Sequence, residues 1–122
     1  MQRTVLKSKL HRARVTDILI DYEGSIEIDE DLMDEVGIAI YEQVHVFNIN
    51  NGHRFITYVI PSKRGDQIIS INGAAARLAQ INDRIIIVAY GMINIDQERI
   101  IPKVLILDEK NQIINKKGIK LI

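Results

Sequence analysis

Residues 43–60, QVHVFNINNGHRFITYVI, hold two alternating runs, Gln43–Ile49 and Arg54–Ile60, around Asn50-Asn51-Gly52. Val44, Val46 and Asn48 fall on one side of the first run and His45, Phe47 and Ile49 on the other, which is the period of a β-strand. Asn and Gly tolerate positive φ, so the intervening triplet predicts a hairpin turn. The same chemistry extends in both directions. Isoleucine occurs 25 times and valine eight times, and branched side chains pack well on a pleated surface. Further strands are expected at Thr4–His11, Val15–Asp21, Ser25–Ile28, Gln67–Ile71, Arg84–Met92 and Lys103–Leu107, with a turn from Pro61 through Asp66. Two short helices fit between them. Asp29 is placed to cap a segment that aligns Leu32, Met33 and Val36, with Gly37 after its end, and Asn72 to cap Gly73–Leu78. So many short strands in 122 residues must protect their edges, and a small mainly β barrel does so most economically.

Composition narrows the function. At 47% hydrophobic and 26% charged the chain reads as one globular domain, residues 1–122. The longest apolar stretch, Ile85–Ile93, is too short for a membrane helix, so no membrane partner is expected. There are no cysteines, which removes thiolate catalysis and Cys-ligated metals. The basic N-terminus carries neither an apolar core nor a small-residue cleavage site, which makes the cytoplasm the expected location. Net charge is zero but segregated: residues 1–14 hold five bases and no acid, residues 17–42 ten acids and no base. Segments of opposite sign should attract one another across the fold or between subunits, and nucleic acid is not the expected partner.

Asp29, Glu30, Asp31, Asp34 and Glu35 lack the ligand and glycine positions of a calcium loop, and His11, His45 and His53 show no metal-ligand spacing, so no metal is expected. Lys9 and His11 project from one strand face and could hold an anion, although a polar outer face is the commoner meaning of such a pair. Arg54 and Tyr58 also share a face. A guanidinium can grip a carboxylate and a phenol can deliver a proton, while Thr57 between them should point the other way. In Asn72-Gly73-Ala74-Ala75-Ala76 the side chains are small enough to let backbone N–H groups meet a carboxylate. Gly24-Ser25 is unremarkable in isolation.

Together these segments resemble the pyruvoyl-dependent aspartate 1-decarboxylase family. The resemblance runs through Arg3-Thr4, Lys7-Ser8-Lys9-Leu10-His11-Arg12-Ala13, Asp21-Tyr22-Glu23-Gly24-Ser25 and Ile28-Asp29-Glu30-Asp31-Leu32. It continues through Asn50-Asn51-Gly52, Arg54, Thr57-Tyr58, Lys63-Arg64-Gly65 and Asn72-Gly73-Ala74-Ala75-Ala76 to Pro102-Lys103-Val104, and covers about residues 1–107. Asp21, the Ile38–Tyr41 loop and the tail after Asp108 depart from it. The resemblance implies a six-stranded double-psi β-barrel and a homotetramer with active sites between subunits. It implies self-cleavage between Gly24 and Ser25 into chains 1–24 and 25–122, assisted by a maturation factor in some organisms. The resulting covalent pyruvoyl group at Ser25 is the implied cofactor, decarboxylating L-aspartate to β-alanine for pantothenate. Thr57 is the implied partner of the Gly24 carbonyl and Tyr58 the proton donor. Lys9, His11, Arg54, Thr57, Asn72, Gly73, Ala74 and Ala75 are the implied substrate contacts. The competing expectations are a pyruvoyl enzyme for another amino acid and a noncatalytic β-barrel that binds DNA.

Overall fold

The computed structural model describes residues 1–117. Nine strands make up most of it: β1 (Gln2–Arg14), β2 (Asp17–Leu19), β3 (Ser25–Asp29), β4 (Gln43–Asn48), β5 (Arg54–Ser62), β6 (Ile69–Asn72), β7 (Arg84–Asn94), β8 (Lys103–Leu107) and β9 (Ile113–Lys117). They are ordered β2-β6-β3-β5-β4-β7-β1-β8-β9, with three parallel pairs, β2/β6, β3/β5 and β1/β8, among antiparallel ones. Parallel neighbours need long crossovers, so residues distant in sequence are interleaved. The expected mainly β class with short helices is what forms.

Alternation decides which face is buried. Across β1, β7, β4 and β5 the register aligns Leu10, Ile87, Val46 and Phe55, and the first three have no exposed surface. Ile26, Ile28, Ile69 and Ile71 complete the core from β3 and β6. Complete burial of each such side chain stabilises the fold by roughly 1.5–3 kcal/mol. The next row, His11, Ile86, Phe47 and Arg54, faces outward.

The predicted hairpin forms, with Gly52 at φ 78° and its N–H donating to the Asn48 carbonyl at 2.8 Å. Other boundaries differ for local reasons. β1 continues past His11 because a bulge at Arg12, φ 66°, absorbs the register shift. The Val15–Asp21 strand shrinks to three residues, since Val15 and Thr16 turn aside to bond Asp83 and Ile69. Gln67 cannot open β6 as expected, because its φ is 59°. Pro61 belongs to β5 rather than to the turn, aligned with Ile28 of the parallel partner. β9 follows a turn at Asn111 and was not anticipated.

One seven-residue helix, α1 (Glu30–Val36), is far too short to persist alone. It is held by burial of Leu32, Met33 and Val36 and by Gly37 in the left-handed region, whose N–H bonds the Met33 carbonyl. Asp29 holds its other end. The buried carboxylate accepts from the N–H of Asp31 at 2.9 Å, of Gln67 at 2.8 Å and of Gly65 at 3.2 Å. The expected attraction between segregated charges also materialises. Arg64 reaches Glu30, Asp31 and Asp34, Lys7 pairs with Glu42, and Lys116 pairs with Glu35.

Asp29→Ala removes a cap and strands two further N–H groups, so we expect a loss of about 2–4 kcal/mol in urea unfolding. A loss below about 1 kcal/mol would contradict the role given to this carboxylate.

Candidate active site

Ser25 opens β3 and is 1% exposed, whereas Gly24 just before it lies at the surface. The β3/β6 register sets Ser25 opposite Asn72, and directly paired residues project to the same side. Asn72 accordingly donates from Nδ2 to Ser25 Oγ at 2.9 Å. The same Nδ2 donates to Glu27 Oε1 at 3.0 Å, and Asn72 Oδ1 accepts from Ser70 Oγ at 3.0 Å. Asn72 was expected to cap the following turn of 3-10 helix, Gly73–Leu78. It does not, because its amide is fully committed to these three partners.

Gly73 explains why this corner requires glycine. Its φ is 76°, and a Cβ on it would come within 2.7 Å of Gly24 Cα and 2.9 Å of Gly24 N. Backbone therefore packs on backbone beside the Gly24–Ser25 link. Ala74 is exposed and Ala75 half-buried on the same turn.

The β3/β5 ladder begins at the Ile26–Val59 pair, so Ser25 and Tyr58 are the residues that immediately precede it on their two strands. Tyr58 is exposed on β5 like Arg54 and Ile56, with its ring 6.4 Å from that of Tyr41. Thr57 points to the other side, as its position in the alternation requires. Arg54 lies further back on β5, its guanidinium 4.6 Å above the Phe47 ring. A cation on an aromatic face is stabilised yet keeps its in-plane N–H donors available.

Lys9 and His11 are not brought to Ser25 within the chain. β7, β4 and β5 stand between their strand and β3, a separation on the order of 20 Å along the sheet. They share the outward face with Arg54 and Tyr58. His11 Nδ1 is buried and has no hydrogen-bond partner among the described residues. Burial first, then the charges of Lys9, Arg12, Lys117 and Arg84, hold the His11 pKa below its ordinary 6.5. The imidazole is thus neutral amid cations. One groove, about 570 Å³, is lined by Val5, Ile93, Ile100 and Pro102 and does not include Ser25, while another of about 290 Å³ includes Gln43, the ladder partner of Tyr58.

Glu27 and Ser70 escaped the sequence reading. The signal was there: each is two residues from a network member on a strand, hence on its face.

Comparison with known proteins matches residues 1–114 to the family described as Aspartate decarboxylase, seven residues further than the resemblance read from the motifs. Aspartate 1-decarboxylase of Maricaulis maris is 54% identical over 117 residues, covering 95% of this chain and 97% of its own. Those of Bacillus cytotoxicus and Thermosipho africanus are 52% and 50% identical, covering 93% and 96% of this chain and 91% and 97% of theirs. Among solved structures, a computationally designed double-psi β-barrel, msDPBB_sym2, aligns with a TM-score of 0.48 at 15% identity, covering 71% of this chain and 99% of its own.

Gly73→Ala should cost about 2 kcal/mol or more in urea unfolding, since positive φ and the clash with Gly24 both oppose it; wild-type stability would show that the corner can relax. Lys9→Ala should raise the His11 midpoint in an NMR titration, because it removes one of the charges that oppose protonation. As the folded pKa is the depressed one, the unfolded chain takes up this proton first. The His11 contribution to stability is therefore present above about 6.5 and declines as pH falls from there.

Proposed function

The chain belongs to the aspartate decarboxylase family, and we propose that it converts L-aspartate to β-alanine and carbon dioxide with a pyruvoyl group that it makes from Ser25. The observation that carries this reading is the buried Ser25 hydroxyl, hydrogen-bonded by Asn72 and joined to a glycine whose backbone packs on Gly73.

Formation begins as Ser25 Oγ attacks the Gly24 carbonyl carbon. The Oγ–C bond forms, the peptide C–N bond breaks, and the hydroxyl proton ends on the Ser25 nitrogen. Elimination then takes the Ser25 Cα proton to solvent and breaks Cβ–Oγ as the Cα=Cβ double bond forms, releasing the Gly24 carboxylate and leaving dehydroalanine at position 25. Water replaces its nitrogen, ammonia leaves, and a ketone remains. Two features support the first step. Gly24 has no Cβ to obstruct approach to its carbonyl, and Thr57, two residues before the Val59 that opens the β3/β5 ladder, is the hydroxyl we assign to polarise that carbonyl. The product chains are residues 1–24 and 25–122.

The residues present suit the group. A pyruvoyl unit retains the Ser25 carbons and carbonyl, so it would occupy space the fold already provides at the head of β3, opposite Asn72. When present it supplies an electron sink that binds the substrate amine and accepts the electron pair left by carbon dioxide. The protein must do the rest. Tyr58, which precedes the first pair of the β3/β5 ladder as Ser25 does, holds a phenolic proton for the carbon that loses its carboxylate. Arg54 offers paired donors to the carboxylate that is retained. Gly73, Ala74 and Ala75 leave their backbone donors unobstructed by large side chains.

Lys9 and His11 contribute if a second copy brings them, and we place the site between subunits of a homotetramer. Support comes from the outward face: Ile56 is 57% and Met92 63% exposed, Tyr90 packs edge-on against His45, and His11 Nδ1 lacks a partner. Such apolar exposure beside an orphaned donor or acceptor is the pattern of an interface. The β-alanine product serves pantothenate synthesis, and we place the enzyme in the cytoplasm. No helix among the described residues is long and apolar enough to cross a membrane.

Denaturing mass spectrometry should show wild-type protein, incubated with any maturation factor its host supplies, as fragments 1–24 and 25–122, and Ser25→Ala as one intact chain. An intact wild-type chain without a ketone would refute the pyruvoyl reading. Tyr58→Phe should cleave normally yet form β-alanine at least about 100-fold more slowly, within the usual range for a general acid. Turnover within about threefold of wild type would remove Tyr58 from that role.

A further inference from the structure

We propose that Glu27 is a positioning residue that sets the polarity of the hydrogen-bond network at Ser25. The proposal rests on the self-processing reading above and adds a residue to it. Ser70, Asn72, Ser25 and Glu27 form one patch on adjacent strands, because Ser25 pairs with Asn72 and Glu27 with Ser70 in the β3/β6 ladder. Three of the four are ambivalent. A serine hydroxyl both donates and accepts, and an Asn amide can present either end. Ser70–Asn72–Ser25 could therefore run in two directions. In one, Asn72 Nδ2 donates to Ser25 Oγ. In the other the amide is turned over, and the Ser25 hydroxyl donates to Oδ1.

Only an ionised carboxylate breaks the tie, since it accepts and never donates. Glu27 Oε1 lies 3.0 Å from the amide atom that also lies 2.9 Å from Ser25 Oγ. That shared atom must be nitrogen. With Nδ2 held there, Oδ1 is left to accept from Ser70 at 3.0 Å.

The direction matters for chemistry. When Asn72 donates to Ser25 Oγ, the Ser25 proton is not tied to the amide and can leave for the nitrogen of the breaking peptide. The same N–H stabilises the negative charge that gathers on oxygen as the proton departs. In the turned-over arrangement the Ser25 proton is locked on Oδ1, and Oγ faces no donor. Glu27 thus acts through Asn72 and never touches the reacting atoms.

Three side chains at position 27 separate this role from simple packing. Glutamine has nearly the shape of glutamate but is ambivalent, so both directions become populated, and cleavage should slow about threefold. Lysine is donor-only and selects the turned-over amide, so cleavage should slow at least a hundredfold. Appearance of fragment 25–122 would be followed by mass spectrometry, with thermal melting confirming that each variant folds. A second readout uses the uncut Ser25→Ala protein, in which one Asn72 side-chain N–H should resonate downfield because it bonds a carboxylate. That displacement should diminish when Glu27→Gln is added. Glu, Gln and Lys in that order, together with the displaced resonance, support the proposal. Equal cleavage for Glu27→Lys and wild type, or an Asn72 resonance indifferent to Glu27→Gln, overturns it. A wild-type chain that never cleaves but shows the displaced resonance overturns the self-processing reading while leaving the network polarity standing.

Discussion

Backbone contact between Gly73 and Gly24 is the constraint on which the site depends. A strand entering the core ordinarily carries its preceding loop out into solvent. Here the loop before β3 is pressed onto the start of the 3-10 turn, with no room for a Cβ at Gly73. This close approach keeps a surface-exposed glycine attached to a fully buried serine. A peptide link at such a boundary experiences two environments. Its carbonyl side lies at the surface, and its serine side is fixed by a ladder. An intramolecular attack gains from that arrangement because one reactant is immobile and the other is held close.

Burying polar groups to achieve this carries a cost that the fold offsets by pairing them. Ser25, Ser70 and Asn72 are almost completely buried, and each would destabilise the fold if left without partners. Linking them to one another and to Glu27 satisfies the amide on both ends. A comparable solution serves Asp29, whose single carboxylate ties α1 to the β5–β6 turn. Arg64 fastens the outside of the same junction by reaching Glu30, Asp31 and Asp34. These surface pairs add little energy individually. Their value is that they hold the turn preceding β6, and β6 carries Ser70 and Asn72.

Much of this was legible before any coordinates, and the part that was not has a physical cause. Alternation located eight of the strands, because period-two burial is written directly into the residue order, and Asp29 and Gly37 marked both ends of α1. Two of the boundary errors fall where the backbone takes positive φ at a residue other than glycine, at Arg12 and Gln67. No local propensity predicts such positions, since tertiary hydrogen bonds impose them. Asn72 illustrates the same limit at the site. Its position before a short helical turn reads as a cap, yet the β3/β6 register offers its amide stronger partners. The motifs identified Ser25, Thr57 and Tyr58 through family resemblance, whereas the grouping of Glu27 with Ser70 required knowing which strands are neighbours.

The outward face poses the remaining physical problem and suggests its own solution. Lys9, His11 and Arg12 stand on a surface where Arg84 and Lys117 add further positive charge, and among the described residues no carboxylate bridges Lys9 or Arg12. Lys7, Arg64 and Lys116 meet carboxylates, whereas here cation stands beside cation. Burial first and then these cations lower the His11 pKa, and among the described residues Nδ1 of that ring has no partner. An anion arriving here would relieve the repulsion and favour protonation of His11. A dicarboxylic substrate brings such an anion. Three strands separate this patch from Ser25 within the chain, so in the homotetramer we propose a neighbouring copy would bring its cations there, and assembly and substrate capture would be governed by the same surface.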